Sequence, residues 1–96
     1  MFGTVGRMRI KPGKVEDLVK HFMDPAGTGS RGFRGSHVLV SEDGDEAVVA
    51  VLFEDKDSYF EMVHDPRTEA AYPRLLELVE GEPEWTDGEW RSLSPS

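Results

Sequence analysis

The chain contains no cysteine, so neither disulfide bonds nor thiolate chemistry enters its stability or its function. No apolar run approaches the ~18 residues that a membrane-spanning helix needs. Charged Arg7, Arg9 and Lys11 arrive too early for the apolar centre of a secretory signal. A cytoplasmic protein is therefore the expectation. Clustered Lys and Arg are also missing. The 96 residues carry 11 basic and 19 acidic side chains, a net charge of −8, which speaks against a nucleic-acid partner. Nucleophile signatures are absent too: there is no G-x-S-x-G, and the serines fall in loops or at ends. A metal site needs three or four converging His, Asp or Glu ligands. His64 and Asp65 are adjacent and point to different sides of a helix. The acidic run from Glu42 to Glu46 reads as a solvated hairpin tip without calcium-loop spacing. Neither a metal nor another cofactor is expected.

What the chain does have is an uneven charge and a clear element pattern. Residues 1–34 hold seven basic and three acidic side chains, and residues 35–96 hold four basic and sixteen acidic. Either the first strand and helix pack beside acidic neighbours, or Arg7 or Arg9 meets an anionic ligand. One domain is expected over residues 1–93, with 94–96 as a disordered tail. A chain this short buries a limited core, and oligomerisation helps it.

A strand over 2–10 puts Phe2, Thr4, Gly6, Met8 and Ile10 on one face and Gly3, Val5, Arg7 and Arg9 on the other. Pro12-Gly13 turns the chain into a helix over 14–23, where Val15, Leu18, Val19 and Phe22 form an apolar stripe. Asp24-Pro25 stops it, and residues 26–31 read as a flexible polar loop rather than a phosphate cradle. Strands over 33–42 and 46–53 are joined by Asp43-Gly44, a tight-turn signal. The second of these is apolar on both faces, as suits a strand buried on both sides. Asp55 or Asp57 caps a helix carrying Tyr59, Phe60 and Val63. His64-Asp65-Pro66 interrupts it and restarts it, with His64 as a C-terminal cap. Ala71, Leu75, Leu78 and Val79 give the inner stripe, and Pro73 predicts a kink or a second restart. Gly81-Glu82-Pro83 reads as the end of the helix. A last strand is expected over 84–93, with a bulge or turn at Asp87-Gly88. The order is β-α-β-β-α-β, an α+β chain.

Several of these segments together resemble the antibiotic biosynthesis monooxygenase-like domain of the dimeric α+β barrel superfamily. They are Ile10-Lys11-Pro12-Gly13-Lys14, the helix from Val15 to Phe22, Gly32-Phe33-Arg34-Gly35, the run from Phe53 to Phe60, and Pro83-Glu84-Trp85. The resemblance implies a ferredoxin-like subunit, two of whose sheets close into one barrel in a homodimer, with a pocket between sheet and helices in each. It also implies cofactor-independent monooxygenases acting on aromatic, polyketide-like substrates, or haem-degrading enzymes. The positions at which the haem-degrading members hold their functional Asn, Trp and His correspond to about Gly6, Met62 and Ala71, and none matches. Haem degradation by that route is not expected. The quinone-forming members place Asn, Trp, Tyr and His around the substrate. Here Tyr72 and His37 remain, and the chain contains no asparagine.

His37 alternates with Phe33, Gly35 and Leu39 on one strand face, so it is the candidate base, and Tyr72 joins it as the second catalytic residue. Arg7, Met8, Tyr59, Met62 and Trp90 are the candidate substrate-binding residues. His21, four residues after Asp17, reads as a solvated surface side chain. The aromatic and sulfur-rich set of Tyr59, Phe60, Met62, Tyr72, Trp85 and Trp90 is open to two readings, plain core and dimer interface or a flat apolar pocket. Two functions follow: a small monooxygenase, or a non-catalytic barrel that binds a small apolar ligand.

Overall fold

The computed structural model describes residues 1–23 and 30–93. Seven elements succeed one another: β1 (Phe2–Ile10), α1 (Val15–His21), β2 (Phe33–Val40), β3 (Glu46–Phe53), α2 (Lys56–Val63), α3 (Pro66–Leu78) and β4 (Val79–Glu89). The expected helix stop at Asp24-Pro25, most of the expected loop, and the tail at 94–96 lie outside the described residues. No helix among the described residues is long and apolar enough to cross a membrane.

Local chemistry accounts for the boundaries. The β2–β3 turn is closed by the Gly44 amide donating to the Ser41 carbonyl at 2.9 Å, with Gly44 at φ 75°. At the start of α2 the Asp55 carboxylate accepts the Ser58 amide at 2.8 Å while the Ser58 hydroxyl faces back to the Asp55 amide, a reciprocal cap. His64 caps the end of α2. Asp65 then starts α3, accepting the Arg67 amide at 2.7 Å, and Pro66 occupies the first helical position. The chain therefore turns between two helices where the sequence predicts a restart.

Pro73 does not produce a second one. Residues 66–78 form a single helix with Pro73 inside it. Proline removes the hydrogen bond to the Glu69 carbonyl, and both residues are exposed, so water can take the vacated position.

The last strand starts five residues earlier than expected, and its irregularity lies elsewhere. Val79 is already extended and pairs with Ile10, and the Leu78 carbonyl accepts the Lys11 amide at 3.0 Å. The ladder shifts between Arg7↔Glu84 and Arg9↔Glu80, so Gly81-Glu82-Pro83 is a bulge inside β4 rather than a helix terminator. Gly81 takes φ 74° there, a conformation a side chain would strain. Asp87 and Gly88 run in plain register with Thr4 and Gly3.

The strand order is β2-β3-β1-β4, antiparallel throughout. This is a ferredoxin-like α+β fold. Strand alternation divides the sheet into two unlike faces. On the inner face, Met8 and Ile10 of β1 and Ala47, Val49, Val51 and Phe53 of β3 are buried against Leu18, Tyr59, Met62 and Leu75 of the helices. On the outer face, Val48, Ala50 and Leu52 of β3 are only half-buried and Leu39 of β2 is 70% exposed.

Candidate functional site

The inner face is not filled evenly. Between the β1–β4 half of the sheet and the three helices lies a cleft of about 490 Å³, within the size range of small-molecule sites. Its walls are mainly apolar, formed by Phe22, Val51, Met62, Ala71, Leu75 and Trp85. Trp85 pairs with Gly6 across the β1–β4 ladder, and its ring lies where a Cβ of residue 6 would stand. A glycine is therefore required for the indole to lie down on β1 and become the cleft wall. The Phe22 ring meets the indole at a centroid distance of 6.3 Å, and the His21 ring stands edge-on to Phe22 at 4.9 Å.

A few polar groups break this apolar lining. The Tyr59 hydroxyl donates to Asp87 Oδ1 at 2.8 Å, tying α2 to β4. Phe2 and Phe53 hold the Tyr59 ring at centroid distances of 5.3 and 5.7 Å. Burial, and then the bond to Asp87, pushes the phenol well above its ordinary pKa, so Tyr59 stays protonated as a fixed donor. The Thr4 hydroxyl is engaged with the Thr86 carbonyl at 3.1 Å. The Thr68 hydroxyl is buried in the cleft wall and has no partner among the described residues, which leaves its hydrogen-bonding capacity to a ligand. Glu69 and Tyr72 of α3 also line the space.

His21 completes the set. Half-buried at the end of α1, it has its pKa lowered, first by burial and second by the charge of Arg74. Both causes favour the neutral imidazole.

The structure sorts the residues singled out from the sequence. Tyr72, Tyr59 and Met62 line the cleft. Met8 is only 4% exposed and packs in the core without reaching the cleft. His37 does not meet Tyr72. It is exposed and pairs with Ala50 on the outer face, because residues 37 and 38 necessarily point to opposite sides of a strand and Val38 packs against the inner core. Arg7 is exposed on the same outer face. Trp90 is on that face too, its indole N–H donating to the Val51 carbonyl at 3.3 Å. Arg9 lies 3.8 Å from both Asp45 and Glu46, so acidic neighbours account for its charge.

His21, Thr4, Thr68, Glu69 and Asp87 join the site unannounced, with Trp85 as its wall. For His21 a signal was present. Leu18, His21 and Phe22 stand at i, i+3 and i+4, and Leu18 and Phe22 are both buried, so His21 borders the inward stripe rather than opposing it. Among the described residues no three His, Asp or Glu side chains are placed to hold a metal ion.

Solved structures share this fold. SnoaB, a cofactor-independent oxygenase from Streptomyces nogalater, matches with a TM-score of 0.81 at 17% identity, over 99% of this chain and 97% of that one. Rv0793 from Mycobacterium tuberculosis gives 0.74 at 16% identity, over 98% of each chain. At3g17210 from Arabidopsis thaliana gives 0.74 at 18% identity, over 99% of this chain and 100% of the other. At such identities the likeness is one of fold. No curated protein matches in sequence. The sequence model of one family, antibiotic biosynthesis monooxygenase, matches residues 1–81, and the chain belongs to that family.

Proposed function

We propose that this protein is a cofactor-independent monooxygenase acting on a small, flat, polyketide-like aromatic substrate held in the cleft. The observation that carries the reading is the cleft itself. Aromatic and aliphatic walls suit a planar ring system. Thr68 and Tyr72 offer hydrogen bonds at its edge, beside a Tyr59 hydroxyl already committed to Asp87, and the family supplies the reaction class.

In such a reaction the substrate provides the electrons. Removal of a proton from an activated CH2 group leaves an enolate, which reduces dioxygen. One oxygen atom becomes the new carbonyl and the other leaves as water together with the two hydrogens of the CH2. The protein's part is to orient the ring, stabilise the enolate oxygen by hydrogen bonds and keep bulk water away. Of the residues predicted from sequence, Tyr72, Tyr59 and Met62 belong to this reading.

His37, Arg7 and Trp90 belong with the outer face. Its apolar centre of Val48, Ala50, Leu52 and exposed Leu39 has no covering element among the described residues. A second copy packed sheet to sheet would bury it, and His37 would then stand at the seam.

The test uses 9-anthrone, a planar ketone with an activated CH2, as model substrate. Oxygen uptake with stoichiometric formation of 9,10-anthraquinone is expected. Tyr72→Phe should lower kcat/KM about tenfold. Binding of anthrone without oxygen uptake would instead make the protein a ligand-binding barrel.

A further inference from the structure

We infer that His21 is the proton acceptor of the cleft, and that the ligand it serves is a flat, weakly acidic carbon or phenol acid lying against Phe22 and Trp85. The inference rests on the cleft described above and assigns the base that its chemistry requires.

Position carries the argument. Of the three histidines, His37 is exposed on the outer sheet face. His64 ends α2 with its ring stacked on Phe60 at 6.3 Å. Only His21 among them lines the cleft. Its ring is half-buried and edge-on to Phe22, which in turn meets Trp85. A planar ligand against Phe22 and Trp85 therefore brings its rim to the imidazole.

The other ionisable groups of the lining suit the role less well. Asp87 is occupied as the acceptor of the Tyr59 hydroxyl. Tyr59 is held in its protonated form. Glu69 is a carboxylate, by its chemical nature a weaker base than an imidazole toward a carbon or phenol acid. An imidazole kept neutral near pH 7 is the stronger acceptor.

Arg74 of α3 is the charge that acts on His21; Glu69, Tyr72 and Asp87 line the same cleft, and Asp17 and Lys20 lie on its own helix. Arg74 lowers the basicity of the free ring, and the same positive charge favours an anion once one forms nearby. In the step itself, a C–H or O–H bond of the ligand breaks and an N–H bond forms on the imidazole. The electron pair stays on the ligand as enolate or phenolate, and no oxidant is consumed.

Because proton removal precedes oxygen, it can be read without turnover. Under anaerobic conditions in deuterium oxide, the wild-type protein should accelerate exchange of the C10 hydrogens of 9-anthrone. His21→Gln should lose that acceleration by about 100-fold. The wild-type exchange rate should fall as pH drops through the lowered His21 pKa, beneath the ordinary 6.5, and the variant should lack this limb. Binding of 9,10-anthraquinone, which has no acidic hydrogen, monitors the cleft and should be the same in both proteins. The inference is overturned if wild type gives no exchange, if His21→Gln keeps it, or if the variant loses quinone binding in parallel, which would make His21 a wall of the cleft and no more. Wild-type exchange without oxygen uptake would leave the inference standing and remove the monooxygenase reading. Oxygen uptake with exchange intact in His21→Gln would do the reverse.

Discussion

Val48 and Val49 are neighbours on β3 and chemically identical, yet they live in different environments. Val49 is fully buried beneath the helices, whereas Val48 is half-buried on a face that no element among the described residues covers. The whole sheet repeats this division. Its inner face holds the core and the cleft with Tyr59, Asp87, His21 and Tyr72. Its outer face carries an apolar centre with His37 and Arg7 around it. The difference teaches that an apolar strand can be doubly apolar for two reasons. One set of side chains packs against helices of its own chain, and the other lies on a face left open among the described residues.

Substitutions can break that contrast. Val49→Ala removes two methyl groups from a filled site and should destabilise the protomer by about 2 kcal/mol, as read by urea unfolding. Val48→Ala should cost under about 0.5 kcal/mol at low concentration, where the face is bare, and more as concentration rises. Equal effects at all concentrations would erase the distinction between the faces.

Leu39→Asp sharpens the same comparison from the other side. A charge at a position already exposed in the subunit should leave the unfolding midpoint of the protomer nearly unchanged. It should also shift the assembly from about 22 kDa toward the 10.8 kDa of one chain, measured by light scattering. A wild-type mass of one chain at micromolar concentration would remove the dimer proposal.

The smallest effect expected is at a helix start beneath neither face. The side chain of Arg67 donates to Asp65, and with the Arg67 amide it holds the Asp65 pKa at about 2, below its ordinary 3.8. A carboxylate depressed in the folded state contributes stability above its unfolded pKa and loses it as pH falls through the folded one. Acid titration from pH 4 to 2 should therefore erode this contribution in the wild type. In Asp65→Asn, which still caps α3 but carries no charge, that part of the slope should be missing.

The fold was largely legible because its punctuation is chemical. Asp43-Gly44, the Asp55 cap and Asp65-Pro66 act through bonds to their immediate neighbours, so their meaning survives without the rest of the chain. Gly81-Glu82-Pro83 misled for a related reason. The same residues that end a helix also make a bulge, and only the pairing of β4 with β1 distinguishes the two. Pro73 is the converse case, tolerated inside α3 because the carbonyl it leaves free is exposed.

The site was legible in part. Tyr59, Met62 and Tyr72 stand out in the sequence as aromatic and sulfur-rich residues of the helical segments, and all three line the cleft. His37 was misplaced because period-two alternation says that two faces exist and does not say which one the helices cover. His21 stands at i+4 from Asp17 and at i+3 from Leu18, and sequence spacing alone does not say which neighbour sets its environment.

By itself, then, the amino-acid sequence determined the element order, the family and the existence of two unlike strand faces, since these rest on local caps, turns and periodicity. Only the tertiary structure decided which face became the cleft. That choice depends on Gly6 letting Trp85 lie on β1, on Tyr59 reaching Asp87 twenty-eight residues away, and on α1 delivering His21 to the same space. Each is a contact between segments distant in the chain, where burial and packing rather than neighbouring residues set the outcome.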